Sequence, residues 1–190
     1  SDGSLFSIRA KALVNAAGPW VAKFIRDDLK LDSPYGIRLI QGSHLIVPKL
    51  YEGENAFILQ NEDQRIVFTI PYLERFTIIG TTDREYQGDP SKVTITEDEI
   101  DYLLKVVNEH FKKQLSRSDI VRTYSGVRPL CNDESDNPSA VTRDYTLSLS
   151  GSAEEAPILS VFGGKLTTYR KLAESAMTHL APFFPHMKPS

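Results

Sequence analysis

Hydrophobic and polar positions change period several times along the chain. Residues 5–9 and 12–15 read as two short strands. A small-residue turn follows, Ala16-Ala17-Gly18-Pro19-Trp20, in which Pro19 suits the first position of a helix over 20–26. Ser33-Pro34-Tyr35-Gly36 breaks the pattern. Short extended runs then dominate, at 38–47, 56–60, 65–70 and 76–80. The polar segments 61–64 and 73–75 join them as hairpins, which predicts an antiparallel meander. Gly42 within the first run marks a bulge or a close approach. Thr96 with Glu99 three residues on is a capping box. It opens a helix whose stripe Ile100, Leu103, Leu104, Val107 and Phe111 packs on the sheet. Further strands are expected at 120–130 and 140–149, around a polar loop, and again at 158–162. Gly163-Gly164 ends the last strand, and a helical period follows at once: Leu166, Tyr169, Leu172, Ala173, Ala176, Leu180.

The order is αβ piece, antiparallel insert with one helix, αβ piece. The expected fold class is α+β. Residues 1–34 and 156–190 form one domain and 35–155 form the inserted β domain. The chain has no initiator methionine and its first elements resemble late strands of a domain, so it is expected to be a piece of a longer protein.

Composition narrows the chemistry. Of 190 residues, 41% are hydrophobic and 25% charged, as in an ordinary globular protein. A net charge of −3 gives no global basic field, so nucleic acid is not an expected partner. One cysteine and four scattered histidines provide neither a disulfide framework nor a metal cluster. No apolar run approaches the roughly 18 residues of a membrane span.

Strand, double glycine and helix together bring a backbone close to an anion or a ring, since glycine has no Cβ to block approach. Lys165 adds a positive charge there. A plain tight turn produces the same pattern, so both readings stay open. Arg128 and Arg143 could bind phosphate or carboxylate through paired hydrogen bonds, or form surface ion pairs, and Arg143 has Asp144 beside it. His44 could move a proton at neutral pH or be an edge-strand histidine. Thr81 and Thr82 after Gly80 line a pocket or cap a turn.

Six segments occur in an order that resembles one family. They are Val14-Asn15-Ala16-Ala17-Gly18-Pro19-Trp20, Gly42-Ser43-His44, Ile79-Gly80-Thr81-Thr82-Asp83, Tyr124-Ser125-Gly126-Val127-Arg128-Pro129-Leu130, Thr142-Arg143-Asp144 and Phe162-Gly163-Gly164-Lys165-Leu166-Thr167-Thr168-Tyr169-Arg170. The chain resembles, over nearly its whole length, FAD-dependent glycerol-3-phosphate dehydrogenase, the aerobic respiratory enzyme. The last two segments are the more specific; Ala-Gly-Pro-Trp is shared with amine-oxidising flavoproteins.

The resemblance implies a Rossmann-like FAD domain and an antiparallel substrate (cap) domain. It also implies oxidation of sn-glycerol 3-phosphate to dihydroxyacetone phosphate, with electrons passing through FAD to quinone. The expected location is the cytoplasmic side of the inner membrane, as a peripheral protein. Ala16, Gly18 and Trp20 would lie along the adenosine and pyrophosphate side of FAD. Gly163, Gly164, Lys165 and Leu166 would meet the isoalloxazine ring, with Lys165 stabilising the anionic reduced flavin and touching substrate. Arg128 and Arg143 would hold the phosphate and hydroxyl side of the substrate. His44 and Thr81 would line the pocket, and Arg128, Lys165 and His44 would be the catalytic set.

The family's Gly-x-Gly-x-x-Gly segment does not occur in these 190 residues. The piece alone is therefore expected to hold FAD weakly or not at all and to be inactive. Uncovered apolar faces favour self-association as a homo-oligomer. The competing expectations are an amine or amino-acid oxidase of the same fold and a non-catalytic anion-binding module.

Overall fold

A computed structural model describes residues 3–132, 144–151 and 155–185. The chain folds into two compact units: Leu39–Arg128, and Ser1–Arg38 together with Pro129–Ser190. The first break falls near the expected one. The second lies at 128/129 instead of 155/156, because the strand that begins at Tyr145 pairs within the split unit.

The split unit holds a three-stranded sheet, β1 (Leu13–Asn15), β9 (Ile158–Gly163) and β8 (Tyr145–Ser150), in the order β1-β9-β8. β1 runs parallel to β9, with Asn15 opposite Ser160. β8 is antiparallel to β9, with Tyr145 opposite Gly163. Parallel pairing brings the C-terminal ends of β1 and β9, and the glycine segment after each, to the same end of the sheet. Residues 5–9 do not form the expected strand: Leu5 is fully exposed and no strand pairs with it. Pro19 opens a 3₁₀ turn, Gly18–Trp20, before the short helix α1 (Val21–Lys23) and a π turn, Phe24–Asp28. Val21, Ile25, Cys131 and Phe162 form the core here.

The continuous unit is built on an antiparallel sheet. Its strands are β2 (Ile37–Pro48), β3 (Phe57–Gln60), β4 (Ile66–Tyr72), β5 (Phe76–Gly80), β6 (Arg84–Tyr86) and β7 (Arg122–Cys131). They are ordered β3-β4-β5-β2-β6, and β7 also pairs with β2. β6 has no counterpart in the sequence reading. Alternation sends Leu45, Val47, Val67 and Ile79 beneath α2 (Glu97–His110), where Leu103 and Val107 are fully buried. The capping box is present as expected, with Thr96 and Glu99 bonded reciprocally. Removing this much apolar side chain from water is the main stabilising term.

The opposite face of the sheet carries Ile58, Ile66, Phe68, Ile70 and Tyr72, all exposed, and on neighbouring strands His44 and Arg128. Across the ladder, His44 lies opposite Gly80, which lies opposite Phe68 and then Ile58.

The last helix differs from expectation. Leu166–Thr168 is a 3₁₀ turn and α3 spans Tyr169–Leu180. Of the apolar stripe only Leu180 is buried; Leu166 is 88% and Tyr169 68% exposed.

Candidate functional site

β2, β5 and β7 bring four predicted or neighbouring polar residues to the open face of the continuous unit. Arg128, near the C-terminal end of β7, donates from Nη1 to Asp83 Oδ1 at 2.7 Å and from Nη2 to Thr81 Oγ1 at 3.0 Å. Its guanidinium lies over Gly42. A Cβ there would stand 2.6 Å from Nη2, 2.9 Å from Cζ and 2.6 Å from Thr81 Oγ1. Gly42 is thus the close approach that its position in the strand predicted, and the reason is Arg128. Arg128 and Asp83 are about one-third exposed, so water screens the pair and its contribution to stability is small. Its value is geometric: two acceptors orient a planar fork of five N–H donors, leaving the rest directed elsewhere.

His44 is not an edge-strand residue, because β2 pairs with β5 at His44 and with β7 as well. Its ring stacks on Tyr124 at 4.4 Å with 3° between planes. On another side it presses on Gly80, where a Cβ would come within 2.8 Å of Cγ. Burial, and behind it the positive charge of Arg128, hold the imidazole below its ordinary value of 6.5. Its Nδ1 is buried with no partner among the described residues. The arrangement favours a neutral imidazole at pH 7.

Behind these residues, on the helix side of the sheet, lies a buried polar cluster of Gln41, Ser43, Thr82 and Glu99. Thr82 Oγ1 donates to Glu99 Oε1 at 2.5 Å and accepts from the Ser43 backbone N–H at 2.9 Å. Burial pushes the Glu99 carboxyl up, but hydrogen bonds from Thr82, Thr96 and Ser43 outweigh it, and the net direction is down. Sequence reasoning missed Asp83, Tyr124, Gln41 and the second role of Glu99. The available signal was strand alternation, which places polar Gln41 and Ser43 on the buried face of β2.

In the split unit, both glycine segments sit at the C-terminal ends of parallel strands, where open α/β sheets bind ligands. Gly163 has φ +74° and a Cβ there would stand 2.9 Å from the Asp144 carbonyl oxygen; Gly164 has φ +104°. Both positions need glycine, and together they leave a bare backbone surface. Lys165 and Leu166 project from it, exposed. The Lys165 ammonium has no partner among the described residues. At the other strand end, Asn15 is buried. It donates from Nδ2 to the Val21 carbonyl at 3.1 Å and accepts from the Ala17 N–H at 3.4 Å, fixing the turn that holds Ala16, Gly18 and half-exposed Trp20. Gly18 has φ +55° with open space where a Cβ would be. A flat ring with a polar edge fits such a bare, cationic surface.

The predicted residues therefore fall into two groups. Arg128, Thr81 and His44 share one unit; Ala16, Gly18, Trp20, Gly163, Gly164, Lys165 and Leu166 share the other. Arg143 lies outside the described residues. Among those described, no group of His, Cys, Asp and Glu could hold a metal ion, and no helix is long and apolar enough to cross a membrane.

The glycerol-3-phosphate dehydrogenase of Pseudomonas tolaasii is 85% identical over all 190 residues, which make up 37% of that protein. The D-erythritol 1-phosphate dehydrogenase of Brucella abortus is 48% identical over 185 residues, 97% of this chain and 37% of that one. The crystal structure of glycerol-3-phosphate dehydrogenase from Bacillus halodurans, complexed with FAD, matches with a TM-score of 0.79 at 30% identity, over 96% of this chain and 34% of that one. The chain thus spans little more than a third of the length of these relatives. A family model, FAD dependent oxidoreductase, matches residues 1–170. With 1–170 of its 190 residues matched, this chain belongs to the FAD dependent oxidoreductase family.

Proposed function

We propose that this chain supplies the substrate-binding sheet and part of the FAD-binding half of a flavoprotein. That flavoprotein oxidises sn-glycerol 3-phosphate to dihydroxyacetone phosphate. The observation that carries the reading is Arg128, held over Gly42 by Thr81 and Asp83 beside a neutral His44. The 85% identity to a protein named for this activity supports it. The 48% relative named for erythritol 1-phosphate points to the same substrate class, a polyol phosphate monoester.

When bound, FAD supplies the acceptor for the two electrons and the hydrogen that leave substrate C2, and passes the electrons to a quinone at the membrane. The chain's own residues do the rest. Gly163 and Gly164 admit the ring edge, and Lys165 places positive charge against it. Ala16, Gly18 and Trp20 line the path of the adenosine and pyrophosphate. Arg128 already faces one carboxylate, so it suits the neutral C2 hydroxyl side of the substrate. The phosphate falls to Arg143. Thr81 fixes Arg128 and lines the pocket. His44 takes the hydroxyl proton at Nε2, since Nδ1 is shut away.

The test is turnover by the full-length protein that carries this chain, with a soluble quinone as acceptor. Glycerol 3-phosphate is expected to be oxidised, and glycine and sarcosine left untouched. Preferential turnover of either amine would replace the reading with an amine oxidase. Lys165→Ala is expected to shift the flavin potential downward; an unchanged potential removes Lys165 from the ring.

A further inference from the structure

Glu99 is 6% exposed and sits in the first turn of α2, on the side of the sheet away from Arg128. An ionised carboxylate offers roughly four lone-pair sites and no donor. Donors meet both of its oxygens. Thr82 Oγ1 reaches Oε1 at 2.5 Å, while Gln41 Nε2 at 2.8 Å, the Thr96 backbone N–H at 2.9 Å and Thr96 Oγ1 at 3.0 Å reach Oε2. The Thr96 pair closes the helix cap. The other two have nothing to do with the helix: Thr82 comes from the β5–β6 connection 17 residues away and Gln41 from β2, 58 residues away.

Those segments are the two sides of the Arg128 cradle. Thr82 lies between Thr81 and Asp83, the two residues that hold the guanidinium. Gln41 and Ser43 flank Gly42, over which the guanidinium lies. The Thr82 oxygen accepts from the Ser43 N–H, so its own proton is committed to Glu99. Gln41 Nε2 reaches Ser43 Oγ at 3.1 Å and the Thr94 carbonyl at 2.8 Å as well. One carboxylate thus ties β2 to the segment between β5 and β6, and the Arg128 side chain from β7 lies against the other face of both.

We propose that Glu99 is a positioning residue for Arg128, acting through Thr82 and Gln41 from the opposite face of the sheet. The proposal rests on the reading of Arg128 as a substrate-binding residue. A capping role alone makes a different demand, because glutamine serves in capping boxes as well as glutamate. Glu99→Gln keeps the cap but turns an NH₂ group toward donors, so one side of the clamp loses its acceptor.

The experiment uses the full-length, flavin-loaded protein, with kinetics normalised to bound flavin. Glu99→Gln and Thr82→Val are each expected to lower kcat/KM for glycerol 3-phosphate about tenfold, the scale of one charge-assisted hydrogen bond. The double variant is expected to fall no further than the worse single one, and Thr82→Ser to restore most of the loss. A purely structural Glu99 would reduce flavin content or yield and leave kcat/KM per flavin unchanged. Arg128→Lys runs alongside. If it lowers kcat/KM while Glu99→Gln does not, or if the Glu99 and Thr82 losses add, the clamp is overturned and the site stands. If Arg128→Lys itself has no effect, the reading of the site falls, and the clamp with it.

Discussion

Gly42→Ala puts the geometry of the Arg128 cradle to a direct test. The added methyl would lie 2.6 Å from both Arg128 Nη2 and Thr81 Oγ1. Ordinary contact begins near 3.4 Å, so these groups have to retreat by about 0.8 Å. Gly42 lies within extended β2 and no left-handed φ is involved, so backbone strain plays no part. The groups that move are a flexible guanidinium and a hydroxyl in a partly exposed pair, so the stability loss is small, about 1 kcal/mol. The catalytic loss is larger, because misplacing a substrate-holding group by about 1 Å costs on the order of 100-fold in rate. The assay is kcat/KM for glycerol 3-phosphate per bound flavin in the full-length protein, with a thermal melt beside it. Gly126→Ala is the control: it lies two residues from Arg128 on β7, and nothing described lies within 4 Å of its added methyl. It is expected to keep kcat/KM within about threefold. Wild-type kcat/KM for Gly42→Ala, or an equal fall in both variants, refutes the close-approach argument.

His44 is held neutral, so activity is expected to persist as pH falls below 6.5 and to disappear only as pH passes the lowered folded value. Stability carries the same sign: the unfolded chain takes up the proton first, so the folding free energy declines from about pH 6.5 downward. His44→Asn should flatten that part of a stability–pH curve, and an unchanged curve would remove the cause. Glu99, lowered in the fold, contributes fully above about pH 4.5 and loses its contribution as pH falls through its folded value; Glu99→Gln should therefore blunt acid unfolding monitored by circular dichroism. Gly163→Ala combines a left-handed φ with a backbone clash at Asp144, and is expected to cost about 2–4 kcal/mol in denaturant titration. Gly164→Ala meets the movable Leu172 side chain at 3.3 Å and Tyr145 Cβ at an ordinary 3.5 Å, and should cost about 1–2 kcal/mol; equal losses at the two glycines would rule out the Asp144 clash as the source of the difference.

What the sequence determined by itself is what short range decides. Thr96 and Glu99 face each other because the first helical turn sets residues three apart in contact, and the box formed as expected. Phe76–Gly80 and the neighbouring strands alternate because the pleat has a period of two, so their buried faces were legible. The glycines at 163 and 164 announced an unusual backbone, and both have positive φ. Local pattern overreached at both ends of the chain. Residues 5–9 have strand-like composition but no ladder partner, and the stripe of α3 has the right period but little to pack on. Tertiary structure alone decided the site. Arg128 meets Asp83 across 45 residues, Gln41 meets Glu99 across 58, and Asn15 comes to lie beside Ser160 across 145. None of these pairs has a periodicity to betray it, because each depends on strand register, and register is set by the summed packing of whole faces. The same packing turned a helix cap into the far anchor of an arginine, which no window of a few residues contains.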